Sequence, residues 1–514
     1  MRTRALLLSL CLCASVAKLF GPVFFDVRDY GAKGDGAAKD TAGIQAAIDA
    51  AAKQGGGVVM LPAGNYLSGT IHLKSRIAIH LAPGAILTFS PDQNDFDPYE
   101  KLDYKSFADN ETTYFHYALL AGENVENIAI EGQGTIDGNR SKRGGPKPIA
   151  LKNCRHVTIR GITIKNAPNY AISFLGVDYA DVDGVTILNG YADGIDPDSS
   201  RHVRISNCSI DSWDDAICPK ASLALGKPRS TEHITVTNCS LSSSSNNFKI
   251  GTESSGDFKN IALSNCVMFR RAQNASRDRS GIAIESVDGS HIDGVVISNV
   301  TMQDVYNPIF IRLGNRGRGL NPPTPGALEN VSISNVVATG ATMTTSITGL
   351  PSHPVRRINL DNIQITMKGG EQNARGLEVP ENPAKYPEST MFGVLPAYGL
   401  YCRHAEGLTL RNVQPRWEQQ DQRPALIFDD VKDLDLNGFK TDTVTGSHPI
   451  IWLNQVSGAF LHGCRIAARA ERFLRISGDQ SREIRLVGND LGRVRDAVDL
   501  GTEVPKGALS SASP

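Results

Sequence analysis

Short stretches of alternating apolar and polar residues recur along the chain and predict β-strands. The repeated unit is an apolar residue, any residue, a second apolar residue and any residue, usually followed by Asn and then a further apolar residue or Cys. A period of two places one face of a strand in the core and the other toward solvent. The clearest copies are Val203–Cys208, Ile234–Cys239, Ile261–Cys266, Val295–Val300, Val331–Val336 and Ile358–Ile363.

The spacing of these copies predicts a coil of stacked strands. Successive asparagines of the pattern lie 27 to 36 residues apart, while the strand core stays constant. A strand this short cannot bury its apolar face alone, so each turn must stack on its neighbours. The pattern favours an all-β fold, a single-stranded right-handed parallel β-helix, over a propeller or a leucine-rich repeat. We expect the asparagines to form an amide ladder at one bend, and Cys208, Cys239 and Cys266 to stack inside as inert filler.

The ends of such a coil must be closed, because open strand edges invite aggregation. Asp40 and Thr41 predict the start of a capping helix at the N-terminal end. Its apolar stripe consists of Ile44, Ala47, Ile48 and Ala51. We expect the cap and first rungs in residues 22–110 and the β-helix in residues 111–490. The latter carries a proline-rich inserted loop at 368–399, and residues 491–514 are expected to form a loose C-terminal tail.

The first residues predict a secretory signal peptide over residues 1–17. Arg2 and Arg4 precede the apolar run Ala5–Val16, and Ser15–Ala17 suits a cleavage site with small residues. This run is too short to span a bilayer, and no later stretch of the sequence approaches the required length. The pattern indicates a secreted or periplasmic protein without a membrane span.

Composition excludes several classes of partner. The 514 residues contain 53 Lys and Arg against 54 Asp and Glu, so no basic excess indicates a nucleic-acid partner. The nine cysteines form no Cys-x-x-Cys pair, and the eleven histidines show no spacing typical of metal ligands. One disulfide remains an open alternative. We expect no cofactor, no metal and a monomeric protein.

Carboxylates crowd two neighbouring turns of the predicted coil. Asp214 and Asp215 follow Asp193 by about 21 residues, close to the length of one turn. Since stacked strands lie about 4.8 Å apart, the three side chains are expected on one surface patch, where repulsion should raise at least one pKa. A carboxylic acid beside ionised carboxylates is what glycoside hydrolysis requires. For Asp196 and Asp198 we expect only turn hydrogen bonds.

The start of the mature chain and the paired aspartates resemble a known family. Phe25–Gly36 is similar to the start of the β-helix in glycoside hydrolase family 28, the polygalacturonase family of pectin-degrading enzymes. The resemblance extends from about residue 24 into the 460s. Asp214 and Asp215 match the family's Asp-Asp motif, and Asp193 matches the last residue of its Asn-Thr-Asp motif. The resemblance implies that Asp214 is the general acid, that Asp193 and Asp215 hold and deprotonate the attacking water, and that the anomeric centre inverts.

Two further motifs of the family are altered in this chain. Its Gly-His-Gly falls at residues 245–247, so Asn246 replaces the histidine. Its Arg-Ile-Lys falls at residues 283–285, so Ala283 and Glu285 replace the basic pair. Arg and Lys would bind a uronate carboxylate through charge-assisted hydrogen bonds. Their loss predicts a sugar other than plain galacturonate next to the cleaved bond, such as a neutral sugar.

Other side chains complete the predicted substrate site. Lys249 points outward, and two interpretations stay open for it: an ion pair with Glu285 or Glu253, or contact with the substrate. Arg312, outward on a later rung, is expected to supply a displaced anion-binding charge. Tyr191 flanks the acids, and aromatic faces stack well on sugar rings. The substrate is therefore expected to be a polysaccharide or oligosaccharide.

Two alternatives to hydrolysis remain from the residues alone. A polysaccharide lyase on the same scaffold would use the three aspartates as Ca²⁺ ligands and a Lys or Arg base. A non-catalytic β-helix that binds carbohydrate would need none of the acids. The inserted loop around Tyr386–Phe392 leads to a further hypothesis, that it closes one end of the cleft and imposes exo cleavage.

Overall fold

The computed structural model describes residues 23–271, 279–372, 376–442 and 448–511. The predicted signal peptide lies outside the described residues. The helices are α1 Thr41–Lys53 and α2 Asn110–Thr113, and single 3-10 turns span Val27–Tyr30, Gln93–Asp95 and Ser389–Phe392. The strands are β1 Phe24–Asp26, β2 Asp35–Lys39, β3 Gly57–Leu61, β4 Gly64–Ser68, β5 Ile71–His72, β6 Ile77–Leu81, β7 Ala85–Phe89, β8 Ala118–Glu123, β9 Glu126–Gly132, β10 Thr135–Asp137, β11 Lys147–Lys152, β12 Arg155–Arg160, β13 Thr163–Lys165, β14 Ile172–Leu175, β15 Asp178–Asp183, β16 Thr186–Gly190, β17 Ile195–Asp198, β18 Arg201–Ser206, β19 Ser209–Ser212, β20 Thr231–Thr237, β21 Ser240–Ser243, β22 Phe248–Ile250, β23 Phe258–Arg270, β24 Ser280–Ser286, β25 His291–Gln303, β26 Asn307–Leu313, β27 Ala327–Ala341, β28 Thr345–Thr348, β29 Val355–Gly369, β30 Leu400–Gln419, β31 Leu426–Asn437, β32 Pro449–Asn454, β33 Ser457–His462, β34 Ala470–Ser477, β35 Arg482–Val487, β36 Val494–Leu500 and β37 Leu509–Ser511.

These strands stack into three parallel columns, and the predicted right-handed β-helix is confirmed. The first column runs through β8, β11, β14 and β17. The second runs through β9, β12, β15 and β18, and the third through β10, β13, β16 and β19. Each rung therefore contributes one strand to each column. Farther along, strands of the second and third columns join into single bent strands such as β25 and β27.

The alternating pattern fills the interior of the coil. In the second column Val157, Ala180, Val203 and Ile234 are in register and buried on successive rungs, because only apolar side chains face inward there. Cys208, Cys239 and Cys266 are also buried, and all seven cysteines of the described residues are free thiols. Within those residues no helix is long and apolar enough to cross a membrane.

The predicted asparagine ladder is present at the bend between the second and third columns. Each asparagine adopts a left-handed φ near +55°, for which Asn is among the best-suited residues after Gly. The side-chain amides then bond from rung to rung, with Nδ2 of Asn299 donating to Asn265, Asn335 to Asn299 and Asn362 to Asn335 at 3.1, 3.0 and 2.8 Å. The ladder thus pairs the exposed side-chain amides with one another along the axis of the coil.

Helix α1 buries the predicted stripe of Ile44, Ala47, Ile48 and Ala51 against the first rungs. The prediction of its cap needs correction. The Asp40 carboxylate makes no capping bond to the helix and instead accepts the backbone N–H groups of Lys33 and Gly34, at 2.6 and 3.1 Å. Asp40 thus ties the loop before the helix to the helix start.

The predicted C-terminal tail of residues 491–514 also needs correction. Strand β36 pairs with β34 and β37 pairs with β35, both in parallel, so the coil continues to residue 511. Arg495, Asp496 and Asp499 interrupt the apolar residues of Val494–Leu500 without a period of two, and this hid the strand pattern. The inserted segment, by contrast, is found between the end of β29 at Gly369 and the start of β30 at Leu400.

Candidate active site

The stacking predicted for the acids is found in the first column. Ile195, Ile217 and Phe248 pair on successive rungs, so Asp193, Asp215 and Asn246 occupy equivalent positions two residues before them. Carboxylate oxygens of Asp193 and Asp215 lie within 4.8 Å of each other. Both side chains are buried, whereas that of Asp214 is partly exposed. The three aspartates therefore share one site.

Asp193 belongs to a buried cluster of two acids and one lysine. The Lys220 ammonium donates to Asp193 Oδ2 at 2.7 Å and also to Asp196 Oδ2 at 2.5 Å. The Asp193 Oδ1 atom accepts the backbone N–H of Asp215 at 3.2 Å. Burial raises the pKa of Asp193 well above its ordinary value, the charge of Asp196 raises it further, and Lys220 opposes both. Burial also raises the pKa of Asp196 to about 6 despite Lys220.

Asp215 lies in the opposite electrostatic environment. The Lys249 ammonium donates to its Oδ2 at 2.9 Å, and the Asn246 side-chain and backbone N–H groups donate to its Oδ1 at 2.7 and 3.1 Å. Burial alone would raise the pKa of Asp215, but the charge of Lys249 and these hydrogen bonds outweigh it and lower the pKa to about 2. Two neighbouring carboxylates thus titrate far apart, as acid–base chemistry requires.

Asp214 faces a cavity of about 430 Å³. Arg143 forms ion pairs with both Asp214 and Glu111, so the loop before β11 and helix α2 together fix the carboxylate. Although burial opposes it, the hydrogen bond to Glu111 and the charge of Asp214 raise the pKa of Arg143. The cavity is lined by Arg143, Asp214, Ser245, Asn246, Lys249, Arg279, Tyr386 and Glu388.

The inserted segment forms one wall of this cavity. Tyr386 covers Lys249, whose ammonium lies 5.8 Å from the centre of the ring, and Glu388 pairs with Arg279 at 2.8 Å. Farther along the segment, Met391 packs on Ala283 of the next rung and on Phe310 of the rung after it. An apolar cluster therefore fills the groove beyond Lys249.

Three predicted binding residues lie outside the cavity lining. Glu285 is buried one rung beyond the site, and its Oε2 has no hydrogen-bond partner within the part of the chain that the structure describes. Burial raises the pKa of Glu285 to about 8. Tyr191 is buried, and the centre of its ring lies 4.8 Å from that of Trp213. Its hydroxyl accepts a hydrogen bond from Nδ2 of Asn189 at 3.0 Å.

Arg312 is also placed away from the cavity. Its guanidinium is buried beneath the inserted segment and donates to the backbone carbonyls of Gly349 and Glu381 at 3.0 and 2.7 Å. Burial, with a smaller contribution from Arg403, lowers the pKa of Arg312 to about 10. The side chain anchors the segment in place of the anion-binding role expected of it. The remaining predicted binding residues, Asn246 and Lys249, do line the cavity.

Several site residues escaped the sequence analysis. Glu111, Arg143 and Arg279 come from loops and a short helix outside the repeat, and no periodic signal marks them. Lys220 follows Asp215 by five residues on the same rung and pairs with Asp198. Strict alternation would place residues five apart on opposite faces, so the sequence pattern did not indicate its contact with the acids. Asp196, for which turn hydrogen bonds were expected, instead joins the Lys220 cluster. Asp198 accepts a local hydrogen bond from Ser199 and another from the backbone N–H of Ser222 on the next rung.

The acids do not fit a divalent cation. Asp193, Asp215 and Cys218 offer ligand atoms close enough to surround an ion. However, Lys220 and Lys249 already donate to the two carboxylates, and burial raises the pKa of the Cys218 thiol well above its ordinary value. A hard cation such as Ca²⁺ prefers oxygen ligands that are not neutralised by ammonium groups.

Comparison with known proteins finds relatives in one family. The family model described as Glycosyl hydrolases family 28 matches residues 57–384. A probable polygalacturonase of Vitis vinifera is 26% identical over 365 residues, which are 66% of this chain and 73% of that protein. An exopolygalacturonase structure from Thermotoga maritima matches with a TM-score of 0.57 at 23% identity, over 67% of this chain and 87% of that one. The family 28 exopolygalacturonase of Yersinia enterocolitica gives a TM-score of 0.59 at 19% identity, over 80% and 78%.

Proposed function

Since the chain belongs to glycosyl hydrolases family 28, a family of polygalacturonase-like glycosidases, we propose that it hydrolyses glycosidic bonds of pectic polysaccharides with inversion. The observation that supports this most is the stacking of Asp193 and Asp215 on successive rungs beside the cavity that Asp214 lines, with Asp215 held ionised by Lys249 so that it can accept a proton. In the proposed reaction Asp214, which faces the cavity, protonates the leaving oxygen. Asp215 takes the proton of the attacking water, which Asp193 helps to hold.

The charges around the cavity support a neutral sugar at the cleaved bond. Each basic side chain that lines the cavity already has an acidic partner: Arg143 has Asp214 and Glu111, Lys249 has Asp215, and Arg279 has Glu388. The position of the family's arginine is held by Ala283, which Met391 covers. A uronate carboxylate in the cavity would therefore have to compete with existing ion pairs, so we propose a residue other than plain galacturonate.

The inserted segment supports exo cleavage. Its cluster on Ala283 and Phe310 fills the groove on one side of the cavity, which leaves room for a chain end rather than for a continuing polymer. The similarity to two exopolygalacturonase structures is consistent with this proposal. Replacing residues 380–396 by a short Gly-Ser linker should open the groove. The expected result is a shift from single-sugar release to random shortening, seen as a faster fall in viscosity per bond cleaved.

A product assay tests the proposed reaction. The purified protein is incubated with a panel of pectic polysaccharides, and the released sugar and its first-formed anomer are identified by NMR. Asp214→Asn should lower the rate by at least about 10²-fold because it removes the proton donor. Asp183→Asn, which removes a carboxylate on the second column, is the matched control and should leave the rate unchanged. Retention of the anomeric configuration would contradict inversion.

The same assay separates the two alternatives. A lyase would release unsaturated products absorbing in the ultraviolet and would lose activity with a chelator. A non-catalytic module would release no sugar, and Asp214→Asn would change nothing. The lysines already bound to Asp193 and Asp215 argue against the calcium-dependent lyase. We also propose that the protein works outside the cytoplasm, on the pattern of its N-terminal residues alone.

A further inference from the structure

A second and larger cavity lies on another face of the coil. Its volume is about 920 Å³, and its lining comes from rungs that begin at Gly57 and end at His233 and Thr235. The floor is the outward row of the second column, in register on successive rungs: Ala78, Ala129, Thr158, Asp181, Arg204 and Thr235. The aspartates of the active site lie on the first column, so this cavity, here termed the ladder groove, is a separate surface.

One wall of the ladder groove is a stack of rings. His156, Tyr179, His202 and His233 occupy the same corner position on four successive rungs, each at a left-handed φ between +55° and +59°. Their ring centres lie 5.2, 4.6 and 4.7 Å apart, and their planes are within 15° of parallel. Because the rings cover one another's faces, a ligand would meet their edges, which carry the imidazole nitrogens and the tyrosine hydroxyl. The wall is therefore rigid and rich in hydrogen-bonding groups.

The dimensions of the ladder groove suit a linear polymer. It spans seven rungs, or about 29 Å at a rung spacing of about 4.8 Å, and runs along the axis of the coil. Its floor is small or polar, with Ala78, Ala129, Thr158 and Thr235, so that a chain of sugar rings can lie close to the backbone. Hydroxyl, imidazole and guanidinium groups of the wall and floor match the many hydroxyls of a polysaccharide.

The charge of the lining favours an anionic chain. Arg76 and Arg204 line the ladder groove together with a single carboxylate, Asp181, which is paired with Arg204. A third guanidinium, that of Arg155, lies 5.9 Å from the centre of the Tyr179 ring. Arg204 keeps 71% of its side chain exposed despite its ion pair, so it can turn to a ligand.

We infer that the ladder groove binds a uronate-containing polysaccharide along the coil axis, away from the site of hydrolysis. The inference rests on the proposed function for the class of polymer. The groove would hold one part of a long pectic chain while a chain end enters the active site. Such a second contact raises the local concentration of ends and increases apparent affinity for polymers but not for short oligosaccharides.

Binding is tested with variants that keep the backbone conformation of the corner. Tyr179→Asn and His202→Asn preserve the left-handed corner, since the chain itself places Asn127 and Asn260 at equivalent positions with φ of +55° and +56°. The two substitutions are made together in a protein that also carries Asp214→Asn, so that the polymer is not consumed. Affinity for polygalacturonate is then measured by affinity gel electrophoresis. The expected result is that the variant binds polygalacturonate at least about tenfold more weakly than the Asp214→Asn protein does. Binding by the Asp214→Asn protein should also weaken as salt is added. Dextran, a neutral polymer, should not bind.

Two further variants keep the test interpretable. Phe460→Ala removes an exposed ring on the same column outside the ladder groove and should leave binding unchanged. Arg204→Gln changes one exposed side chain, cannot unfold the coil, and should weaken binding on its own. Unchanged affinity in both the Tyr179/His202 and the Arg204 variants would overturn the inference. Binding of polygalacturonate by an unaltered protein that hydrolyses none of the pectic polysaccharides in the panel would instead contradict the proposed function and leave the ladder groove standing.

Discussion

The environment of each carboxylate decides its role at the residue scale. Asp193 and Asp215 have the same side chain and lie one rung apart, yet Lys249 and Asn246 lower the pKa of one while burial and Asp196 raise the pKa of the other. The sequence was sufficient to predict that the acids meet and that their pKa values separate. It was not sufficient to predict the direction for each acid, because that depends on ammonium groups whose reach across rungs is set by packing.

Removal of Lys249 should change the pH dependence of the reaction. In Lys249→Met, Asp215 loses the cation that lowers its pKa, so that pKa should rise by about one unit or more. The acid limb of kcat/KM is therefore expected to move to higher pH, measured as a pH–rate profile. Lys259→Met, which removes a lysine from a surface ion pair with Asp257, is the control. An unshifted acid limb would mean that Lys249 does not set the charge of Asp215.

Glu285 makes a prediction about stability. Its pKa of about 8 in the folded protein exceeds the ordinary value of 4.5, so the folded state binds the proton more tightly than the unfolded state. Stability should then fall as pH rises from about 4.5 toward 8, by up to about 1.4 kcal/mol for each pH unit. Glu285→Gln should remove this loss, so that its Tm relative to the unaltered protein increases between pH 5 and pH 8. Glu406→Gln, on an exposed side chain, should show no such trend.

At the scale of the element, the bends of the coil show which structural features a repeated sequence pattern can predict. The asparagine ladder was predictable because the same residue returns at the same place in each turn. The ring stack of the ladder groove has the same left-handed backbone conformation, but it is built from His156, Tyr179, His202 and His233. Because no single residue type occupies this corner on every rung, the stack was not visible in the sequence. Elements outside the repeat, such as the wall made by Tyr386 and Glu388, depend on tertiary packing alone.

The ladder leads to a prediction that separates hydrogen bonding from backbone conformation. Asn299→Ala loses the amide bonds to Asn265 and Asn335 and also places alanine, which tolerates the left-handed conformation less well than asparagine, at φ +56°, so it should cost about 2–3 kcal/mol of unfolding free energy. Asn299→Gly loses the bonds but tolerates the conformation, so it should cost about 1 kcal/mol. Denaturant unfolding of both variants measures the difference. Equal losses would show that backbone conformation contributes little at this bend.

For the whole molecule, the architecture followed from the sequence because one strand pattern was repeated many times. Each copy was weak evidence, but a coil is the fold in which irregular loops and a constant strand core are compatible. The prediction failed where the pattern degenerates. Val494–Leu500 has no fully buried side chain, so its sequence resembles that of a tail, although its backbone pairs with the preceding rung.

That correction can be tested by truncation. A chain that ends at residue 490 loses β36 and β37 and leaves the edges of β34 and β35 open, including Leu474 and Ile476, which pair with Val498 and Leu500. Unpaired edges with apolar neighbours promote association between chains. We expect a lower Tm and concentration-dependent aggregation, measured by light scattering, whereas a chain that ends at residue 511 should behave as the full protein. If the shorter chain stayed monomeric with an unchanged Tm, the last rung would be dispensable, as a loose tail would be.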